Sequence, residues 1–217
     1  MTLRHAIPLA VVFASCATSA PVPTAIDPTS GALSTVELGG RFKPADDLMA
    51  RGSNEAAAKA YVQLVDAEPK NDQSDQALIN AAVCGERLQR SDFAQKLYER
   101  ITLDYPHSKL APAALFRVAV NAENSLDFDK AINSYQKLVK DYPQSVDRES
   151  SLQYTLRLLE GLRRNVEAAE VYLLYAELFP ASEDAPKSLL RAAEIYDQQP
   201  DYKLEILALE TFVKKYG

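Results

Sequence analysis

Few side chains in this chain of 217 residues have the types and spacing that covalent, acid–base or metal chemistry needs. There are two histidines, His5 and His107, and two cysteines, Cys16 and Cys84. No HExxH metal motif, glycine-rich phosphate loop, GxSxG elbow or CxxC pair occurs. A zinc site would also need several His or Cys ligands close together.

Adjacent carboxylates are the remaining candidates for acid–base chemistry. They occur as Asp46-Asp47 and Glu183-Asp184, in segments with the composition of turns or helix starts. Carboxylates at a helix start stabilise the free amides and the positive end of the helix dipole. We therefore predict that the protein is not an enzyme, and that it has no metal site, no cofactor and no small-molecule substrate.

Cys16 lies in a different context, at the end of an export signal. Arg4 and His5 precede an apolar run over residues 6–14, which is long enough for a signal-peptide core and too short to span a bilayer. The sequence Phe-Ala-Ser-Cys over residues 13–16 resembles the lipobox of bacterial lipoproteins, in which the cysteine receives lipid. We predict a signal peptide over residues 1–16 and lipidation of Cys16. Phe13 stands where that family usually has leucine, so cleavage after Ala20 stays open as the alternative.

Cys84 has no partner in the chain if Cys16 carries lipid, and no disulfide is predicted. Its neighbours Ala81, Ala82 and Val83 are apolar. A cysteine in such surroundings acts as a small hydrophobic side chain.

Residues 17–53 are rich in Ala, Pro, Thr, Ser and Gly and show no sustained period. We predict a flexible tether there, with room for a short helix near Pro44 to Arg51 because proline suits a first helical position. The formal net charge of -6 gives no basic surface for nucleic acid. With seven glycines and no tryptophan, the composition favours helix over a turn-rich sheet.

The elements that position these residues repeat at one interval. Pro69, Pro106, Pro143 and Pro180 are 37 residues apart. Three further columns share this spacing: Ala57, Ala94, Ala131 and Ala168; Tyr61, Tyr98, Tyr135 and Tyr172; and Leu78, Leu115, Leu152 and Leu189. Repetition at such a period is typical of a solenoid whose units bury their apolar faces against each other. We predict one repeat array over residues 54–217, with the tyrosines filling gaps between helices.

Each period holds two stretches with apolar residues at helical spacing, which predicts a first and a second helix per unit. Ser108, Ser145 and Ser182 share a column after the prolines, and we expect them to cap the following first helices. The alanine, tyrosine, leucine and proline columns resemble the tetratricopeptide repeat, which is a helix-turn-helix unit of 34 residues. The resemblance covers residues 54–217 and implies an all-α, right-handed superhelical solenoid. Leu156 departs from the small residue of that family's first helix.

The resemblance also implies a concave groove lined by the first helices, where a peptide or helix of a partner protein would bind. Apolar side chains would hold apolar groups of the partner, and basic ones would hold its acids. Phe116 is the leading candidate. The full set of predicted groove residues is Ile79, Val83, Phe116, Val120, Glu123, Gln153, Arg157, Lys187 and Leu190.

The last predicted helix, residues 202–216, carries many apolar side chains and has no polar outer cap of the kind that normally ends a solenoid. Three explanations stay open. The array continues in a longer protein, another surface covers this end, or the helix caps itself.

The export signal, tether and repeats together resemble tetratricopeptide lipoproteins of the Gram-negative envelope. Three groups fit: the repeat lipoprotein of β-barrel assembly, the Tol-Pal-associated division coordinator, and the adventurous gliding component. Asp-Tyr-Pro steps, as over 104–106, occur in the first group, whereas residues 127–131 and 182–187 are most similar to the third. Ala17 in place of aspartate implies the outer membrane.

The resemblance thus implies a non-catalytic scaffold that is anchored in the outer membrane and faces the periplasm. Its partners would be other envelope proteins or extended peptide segments, in gliding motility or outer-membrane biogenesis. The alternative is a soluble periplasmic, chaperone-like protein that binds extended polypeptides.

Overall fold

A computed structural model describes residues 31–199 and 202–217 of the chain. The predicted signal peptide, Cys16 and the alternative cleavage site lie outside these residues. The described part contains helices and no strand. After a 3-10 turn at Gly40–Phe42, the helices are α1 (Lys43–Ala50), α2 (Asn54–Ala67), α3 (Ser74–Arg87), α4 (Ser91–Asp104), α5 (Ala111–Asn124), α6 (Phe128–Asp141), α7 (Arg148–Gly161), α8 (Asn165–Leu178), α9 (Ala185–Gln198) and α10 (Tyr202–Tyr216).

The helices alternate between two kinds with separate starting series. The second helices α2, α4, α6, α8 and α10 begin at residues 54, 91, 128, 165 and 202. The first helices α3, α5, α7 and α9 begin at residues 74, 111, 148 and 185. Successive starts in each series are 37 residues apart, and each helix packs mainly on its neighbours in the chain. The result is a solenoid of helix pairs.

The repeated columns form the core of this solenoid. The four repeated alanines are fully buried, and the four repeated tyrosines and leucines are at most 4% exposed. The predicted packing role of these columns is therefore correct. Small alanines let neighbouring helices approach closely, and the tyrosine rings fill the wider spaces between them.

The turn inside each helix pair uses a left-handed residue. Gln89, Leu126 and Arg163 have φ values of 57°, 61° and 57°. The Leu126 amide donates to the carbonyl of Glu123 and the next amide donates to the carbonyl of Ala122, both at 2.9 Å. This pattern ends an α-helix and provides hydrogen-bond donors for the last carbonyls of the helix. A non-glycine side chain in this conformation is strained, so the turn stores a small local cost.

The turn between pairs differs from our prediction. Ser108, Ser145 and Ser182 do not cap the first helices, because each lies two residues before the N-cap position. Each serine Oγ instead accepts a hydrogen bond from the amide two residues later, at 3.0, 3.2 and 3.4 Å respectively. Such short-range bonds stabilise turns. The serine column therefore shapes the connection rather than the helix.

The prediction of a flexible tether over 17–53 is wrong for residues 31–53. Phe42 and Ala45 are fully buried, and α1 packs on α2. The Asp46 carboxylate, 3% exposed, accepts from the Tyr61 hydroxyl at 2.6 Å and from the amides of Leu38 and Gly39 at 3.0 and 2.7 Å. Scattered Phe and Leu side chains lack a period, so only the fold reveals that they cover α2. The short helix near Pro44 is present.

The other end of the array is less covered. Helix α10 has one fully buried side chain, Ala208, and otherwise packs through half-buried residues on α9. Large apolar side chains remain exposed along it, namely Tyr202, Ile206, Leu207, Leu209 and Val213. The exposed side of α10 thus mixes these apolar side chains with the charged Lys203, Glu210 and Lys214.

Candidate functional site: the concave face

The first helices α3, α5, α7 and α9 provide the predicted groove residues, and their order along the solenoid fixes the order of these side chains. Three of them are buried, since Ile79 and Phe116 are 0% exposed and Val120 is 5% exposed. Phe116 packs against the rings of Tyr135 and Tyr154 at centroid distances of 5.3 and 5.7 Å. These three side chains are not open surface in this structure.

The chain itself covers this face. Residues 31–38 lie against α3, α5 and the start of α7, and will be called the groove segment. Gly31 sits directly on Phe116, and a Cβ atom at Gly31 would lie 2.6 Å from Phe116 Cδ1. Leu33 and Leu38 are half-buried and pack against the core. The groove is therefore occupied by an extended stretch of the protein's own backbone.

Side chains of α3 bind this backbone directly. Asn80 is fully buried, and its amide pairs with both backbone groups of Val36. Its Nδ2 donates to the Val36 carbonyl at 2.7 Å, and its Oδ1 accepts from the Val36 amide at 3.2 Å. One turn earlier, Gln76 Nε2 donates to the Ser34 carbonyl at 3.0 Å. A buried side-chain amide that pairs with both the N–H and the C=O of one residue fixes the register of that stretch of backbone.

Two further bonds hold the ends of the groove segment. The Gly31 amide donates to Asp147 Oδ1 at 2.8 Å, next to the first residue of α7. At the other end, Gln73 Nε2 donates to the Leu38 carbonyl at 3.3 Å. The segment thus runs from α7 towards α3, opposite to the order of the repeats.

Two open clefts adjoin the groove segment. One has a volume of about 590 Å³ and lies between Ala32, Leu33 and apolar side chains of the α5 and α7 turns, including Leu110, Pro112 and Val146. The other has a volume of about 360 Å³ and is lined by Leu33 together with polar groups of Ser34, Glu86, Tyr98 and Arg117. The groove segment therefore does not fill the surface on which it lies.

Ion pairs link successive first helices along the concave face. Glu86 pairs with Arg117, Glu123 Oε1 lies 2.5 Å from Arg157 Nη2, and Glu160 Oε1 lies 3.2 Å from Arg191 Nε. The three glutamates are 37 residues apart. Each pair is partly buried, so solvent screens it less than a surface pair. Arg157 was predicted to bind an acidic group of a partner, but it is already neutralised by Glu123.

Tyr98, Tyr135 and Tyr172 lie next to the glutamates of these three ion pairs. The Tyr172 hydroxyl donates to Glu160 Oε1 at 3.0 Å. Burial and the nearby glutamates raise the pKa of Tyr98, Tyr135 and Tyr172. These phenols stay protonated at physiological pH, because a buried phenolate beside a carboxylate is disfavoured. Their role in the site is to support the helices that carry it.

The second half of the face remains more open. Gln153 on α7 is half-buried, as is Val83 on α3 in the first half, whereas Leu190 on α9 is 40% exposed. Lys187 is exposed and its Nζ lies 2.8 Å from Asp184 Oδ1. An exposed pair of this kind is worth little and exchanges readily for another acid. Lys187 and Leu190 are thus the predicted groove residues that a second polypeptide could reach without displacing anything described here.

Outside the groove, the features that matter for function are a reactive thiol, a metal site and a membrane-spanning helix. Cys84 is fully buried, and burial raises the pKa of its thiol, which disfavours the reactive thiolate. Within residues 31–199 and 202–217, no three His, Cys, Asp or Glu side chains are grouped so that they could hold a metal ion. None of the described helices is long and apolar enough to cross a membrane.

The sequence reasoning missed the residues that hold the groove segment. Asn80 gave one usable signal, because it is a lone polar residue in the apolar stretch Ala-Leu-Ile-Asn-Ala-Ala-Val over residues 77–83. A polar residue at such a position must find a partner. Asp147 and the groove segment gave none, since their pairing joins residues 116 positions apart.

Part of the array is similar in sequence to a known repeat family. Residues 113–145, which cover most of α5 and all of α6, match the family model of the tetratricopeptide repeat. No curated protein sequence matches the chain.

Several solved structures are similar in fold. MamA is 12% identical, with 79% of this chain and 93% of that chain covered, at a TM-score of 0.46. BtubC from P. vanneervenii is 14% identical over 79% of this chain and 76% of its own, at a TM-score of 0.47. A putative kinesin light chain with TPR-like repeats from Podosopora anserina is 13% identical over 81% and 92%, at a TM-score of 0.46.

These likenesses concern the fold alone. The chain is an all-α solenoid of tetratricopeptide-like helix pairs.

Proposed function

We propose that the protein is a non-catalytic scaffold that is anchored in the bacterial outer membrane through lipid on Cys16 and faces the periplasm. In this role its concave face assembles a multiprotein envelope complex, in gliding motility or outer-membrane biogenesis. The observation that carries the binding role is the pairing of Asn80 with both backbone groups of Val36. A surface that already holds one extended polypeptide has the hydrogen-bonding groups to hold another.

Anchoring rests on the sequence alone. The lipobox-like residues 13–16 support lipid on Cys16, and Ala17 supports the outer rather than the inner membrane. The groove segment begins only fifteen residues after Cys16. Fifteen extended residues span at most about 54 Å. An anchored protein would therefore keep its concave face close to the membrane surface while the segment is docked.

A soluble periplasmic, chaperone-like binder of extended polypeptides is the second candidate. The contacts of Asn80 and Gln76 favour it, because they are made to backbone atoms that every polypeptide presents. The two functions differ in their need for the membrane. A scaffold works only where its complex is assembled, whereas a soluble binder keeps its affinity without an anchor.

Photocrosslinking in cells separates the two functions. A crosslinking amino acid at Leu190, which is exposed on α9, is compared with one at Lys140, which is exposed on the second helix α6. Each is placed in the otherwise unchanged chain and in Cys16→Ser. The scaffold predicts a defined set of envelope proteins captured at Leu190, not at Lys140, and lost in Cys16→Ser together with membrane association.

Two results would contradict the scaffold. A broad mixture at Leu190 that is unchanged in Cys16→Ser would favour the soluble binder. Equal capture at Leu190 and Lys140 would remove the concave face as the binding surface.

A further inference from the structure

We propose that the concave face takes an extended polypeptide with the pattern Gly-x-Leu, and that the groove segment is its internal competitor, which such a partner displaces. This inference rests on the proposed binding role of the concave face. It names the chemistry of the partner and the state of the site before the partner arrives. The contacts of Gly31, Ala32, Leu33 and Val36 carry the argument, position by position.

The first position requires glycine for two reasons. Gly31 has a φ of 62°, which is a left-handed conformation that other residues rarely adopt. It also lies on Phe116, where a Cβ atom would approach Cδ1 to 2.6 Å. Phe116 cannot give way easily, because it is fully buried against Tyr135 and Tyr154. The Phe116 ring therefore leaves no room for a side chain at this position, which selects glycine.

The third position requires an apolar side chain. Leu33 is half-buried, packs against the core and lines both clefts. Removing a leucine side chain from water stabilises the bound state in proportion to the apolar area buried. A charged residue there would lose this contribution and would face the apolar wall of the larger cleft.

The second position is where a partner can bind better than the groove segment does. Ala32 borders the cleft of about 590 Å³, whose walls include Leu110, Pro112 and Val146. Alanine leaves this volume open, so the cleft's apolar surface stays in contact with water. A larger apolar residue at the same position would cover that surface. The groove segment therefore binds the concave face less strongly than a peptide with a larger apolar residue at this position would.

The sixth position is read through its backbone only. Asn80 bonds both backbone groups of Val36, whereas the Val36 side chain is 46% exposed. Selection at this position is therefore absent, and any residue except proline would keep both bonds. Val36 provides a matched control for the selective positions.

Competition follows from covalent linkage. The groove segment connects to α1 through Gly39 and Gly40, so its local concentration at the groove is high even if each contact is weak. A partner's apparent dissociation constant rises by the inverse of the fraction of molecules with an empty groove. Changes that weaken the segment in the protein must tighten binding of the same sequence supplied as a separate peptide.

The test measures fluorescence anisotropy of a labelled peptide with the sequence of residues 31–40, added to the full chain. Gly31→Val in the protein should tighten binding of this peptide by about tenfold, the change expected if nine in ten grooves are filled in the unchanged chain. Leu33→Asp in the protein, as a second way to release the segment, should have the same effect. Val36→Thr in the protein should leave binding unchanged.

The peptide is varied in the same way, against the Gly31→Val protein. Ala32→Phe in the peptide should tighten binding, and Gly31→Val in the peptide should abolish it. Equal binding to the unchanged, Gly31→Val and Leu33→Asp proteins would overturn the competition. Tolerance of Gly31→Val in the peptide would overturn the pattern. A dimer of the unchanged chain by light scattering, held by exchanged groove segments, would make a second copy the occupant and would also contradict the proposal.

These outcomes are separate from those of the crosslinking experiment. Peptide binding that ignores the pattern, together with a defined set of proteins captured at Leu190, would end this inference and leave the scaffold standing. Pattern-dependent peptide binding with no protein captured at Leu190 would support this inference and contradict the scaffold.

Discussion

Tyr61 and Tyr98 occupy the same column of the repeat but have different hydroxyl environments. Tyr61 donates to Asp46, which is buried and also accepts from two backbone amides of residues 38 and 39. The Tyr98 hydroxyl is buried beside Glu86 and Arg117, but these two pair with each other, and no hydrogen bond of normal geometry joins either of them to the hydroxyl. The same residue type therefore closes a polar network in one repeat and only fills space in the next.

Phenylalanine at each of these two positions should have opposite consequences. Tyr61→Phe should lower the free energy of unfolding by about 1–3 kcal/mol, because the buried Asp46 carboxylate loses a donor. Tyr98→Phe should leave it unchanged or raise it slightly, since it removes a buried hydroxyl without a partner. Urea denaturation of both variants tests this pair. An equal loss in both would show that the hydroxyl of Tyr98 is satisfied in solution.

Leu126 gives a second prediction at the scale of one residue. Its left-handed φ of 61° strains a side chain that is 73% exposed and has little packing to lose. Leu126→Gly should raise the free energy of unfolding by up to about 1 kcal/mol, because relief of strain exceeds the added freedom of the unfolded chain. Leu103→Gly is the matched control, since Leu103 is 75% exposed but helical in α4. It should lower stability by about 1 kcal/mol. Melting temperatures that move the same way in both variants would contradict the assigned strain.

At the scale of elements, α8 and α10 show what a neighbouring helix contributes. Helix α8 packs on both α7 and α9, whereas α10 packs mainly on α9. Three positions of α8 are nearly fully buried, and the residues 37 positions later in α10 are exposed. These positions are Ala169, Tyr172 and Ala176 in α8, at 0, 1 and 1% exposure, and Ile206, Leu209 and Val213 in α10, at 53, 38 and 66%.

Charges on the exposed face of α10 should therefore be tolerated. The double change Ile206→Asp and Val213→Asp should alter the free energy of unfolding by less than about 1 kcal/mol, because neither side chain is buried. It should also reduce self-association, since it removes an apolar patch. Ala208→Asp, on the buried face of the same helix, should destabilise by about 3 kcal/mol or more. Thermal unfolding and light scattering check both faces. Strong destabilisation by the double change would show that something covers α10 in solution.

The elements were largely predictable, and their boundaries less so. A 37-residue period and proline punctuation identify each helix in the array, because burial of one apolar face imposes helical spacing on the sequence. The serine column was predicted to cap the first helices, but these helices begin three residues after each serine, because a turn comes between them. Apart from the short helix near Pro44, the packing of residues 31–53 on the array escaped prediction, because a single covering stretch of chain needs only a few apolar contacts, which leave no period.

For the molecule as a whole, the two ends of the array differ in how far other parts of the chain pack over the terminal helix. At the amino-terminal end, α1, Phe42 and the Asp46 network lie on α2. At the carboxy-terminal end of the described residues, α10 has one main neighbour. Because the stability of a solenoid is nearly a sum of neighbour interfaces, opening should begin at α10.

Hydrogen exchange should show this asymmetry. Backbone amides of α10 should exchange fastest among the helices of the repeat array, those of α5 and α6 slowest, and those of α2 closer to the slow group. The physical reason is that α2 is covered on both sides, whereas α10 opens without breaking a second interface. Ala45→Asp serves as the control, because it should loosen α1 from α2 and speed exchange in α2 alone. Equal protection of α2 and α10 would contradict the assignment of residues 31–53 as a cap.

The sequence by itself determined the helical solenoid, its unit length and its core columns, because each is encoded locally and repeated. It also predicted that Ile79, Val83, Phe116 and Val120 lie on one face of the array, on the first helices. Only the tertiary structure decided whether that face is open. The groove segment reaches it through contacts between residues 35 to 116 positions apart, such as Leu38 with Gln73 and Gly31 with Asp147. Contacts at such separations depend on where the solenoid brings its turns together, and a single unrepeated strand of chain leaves no pattern from which they could be predicted.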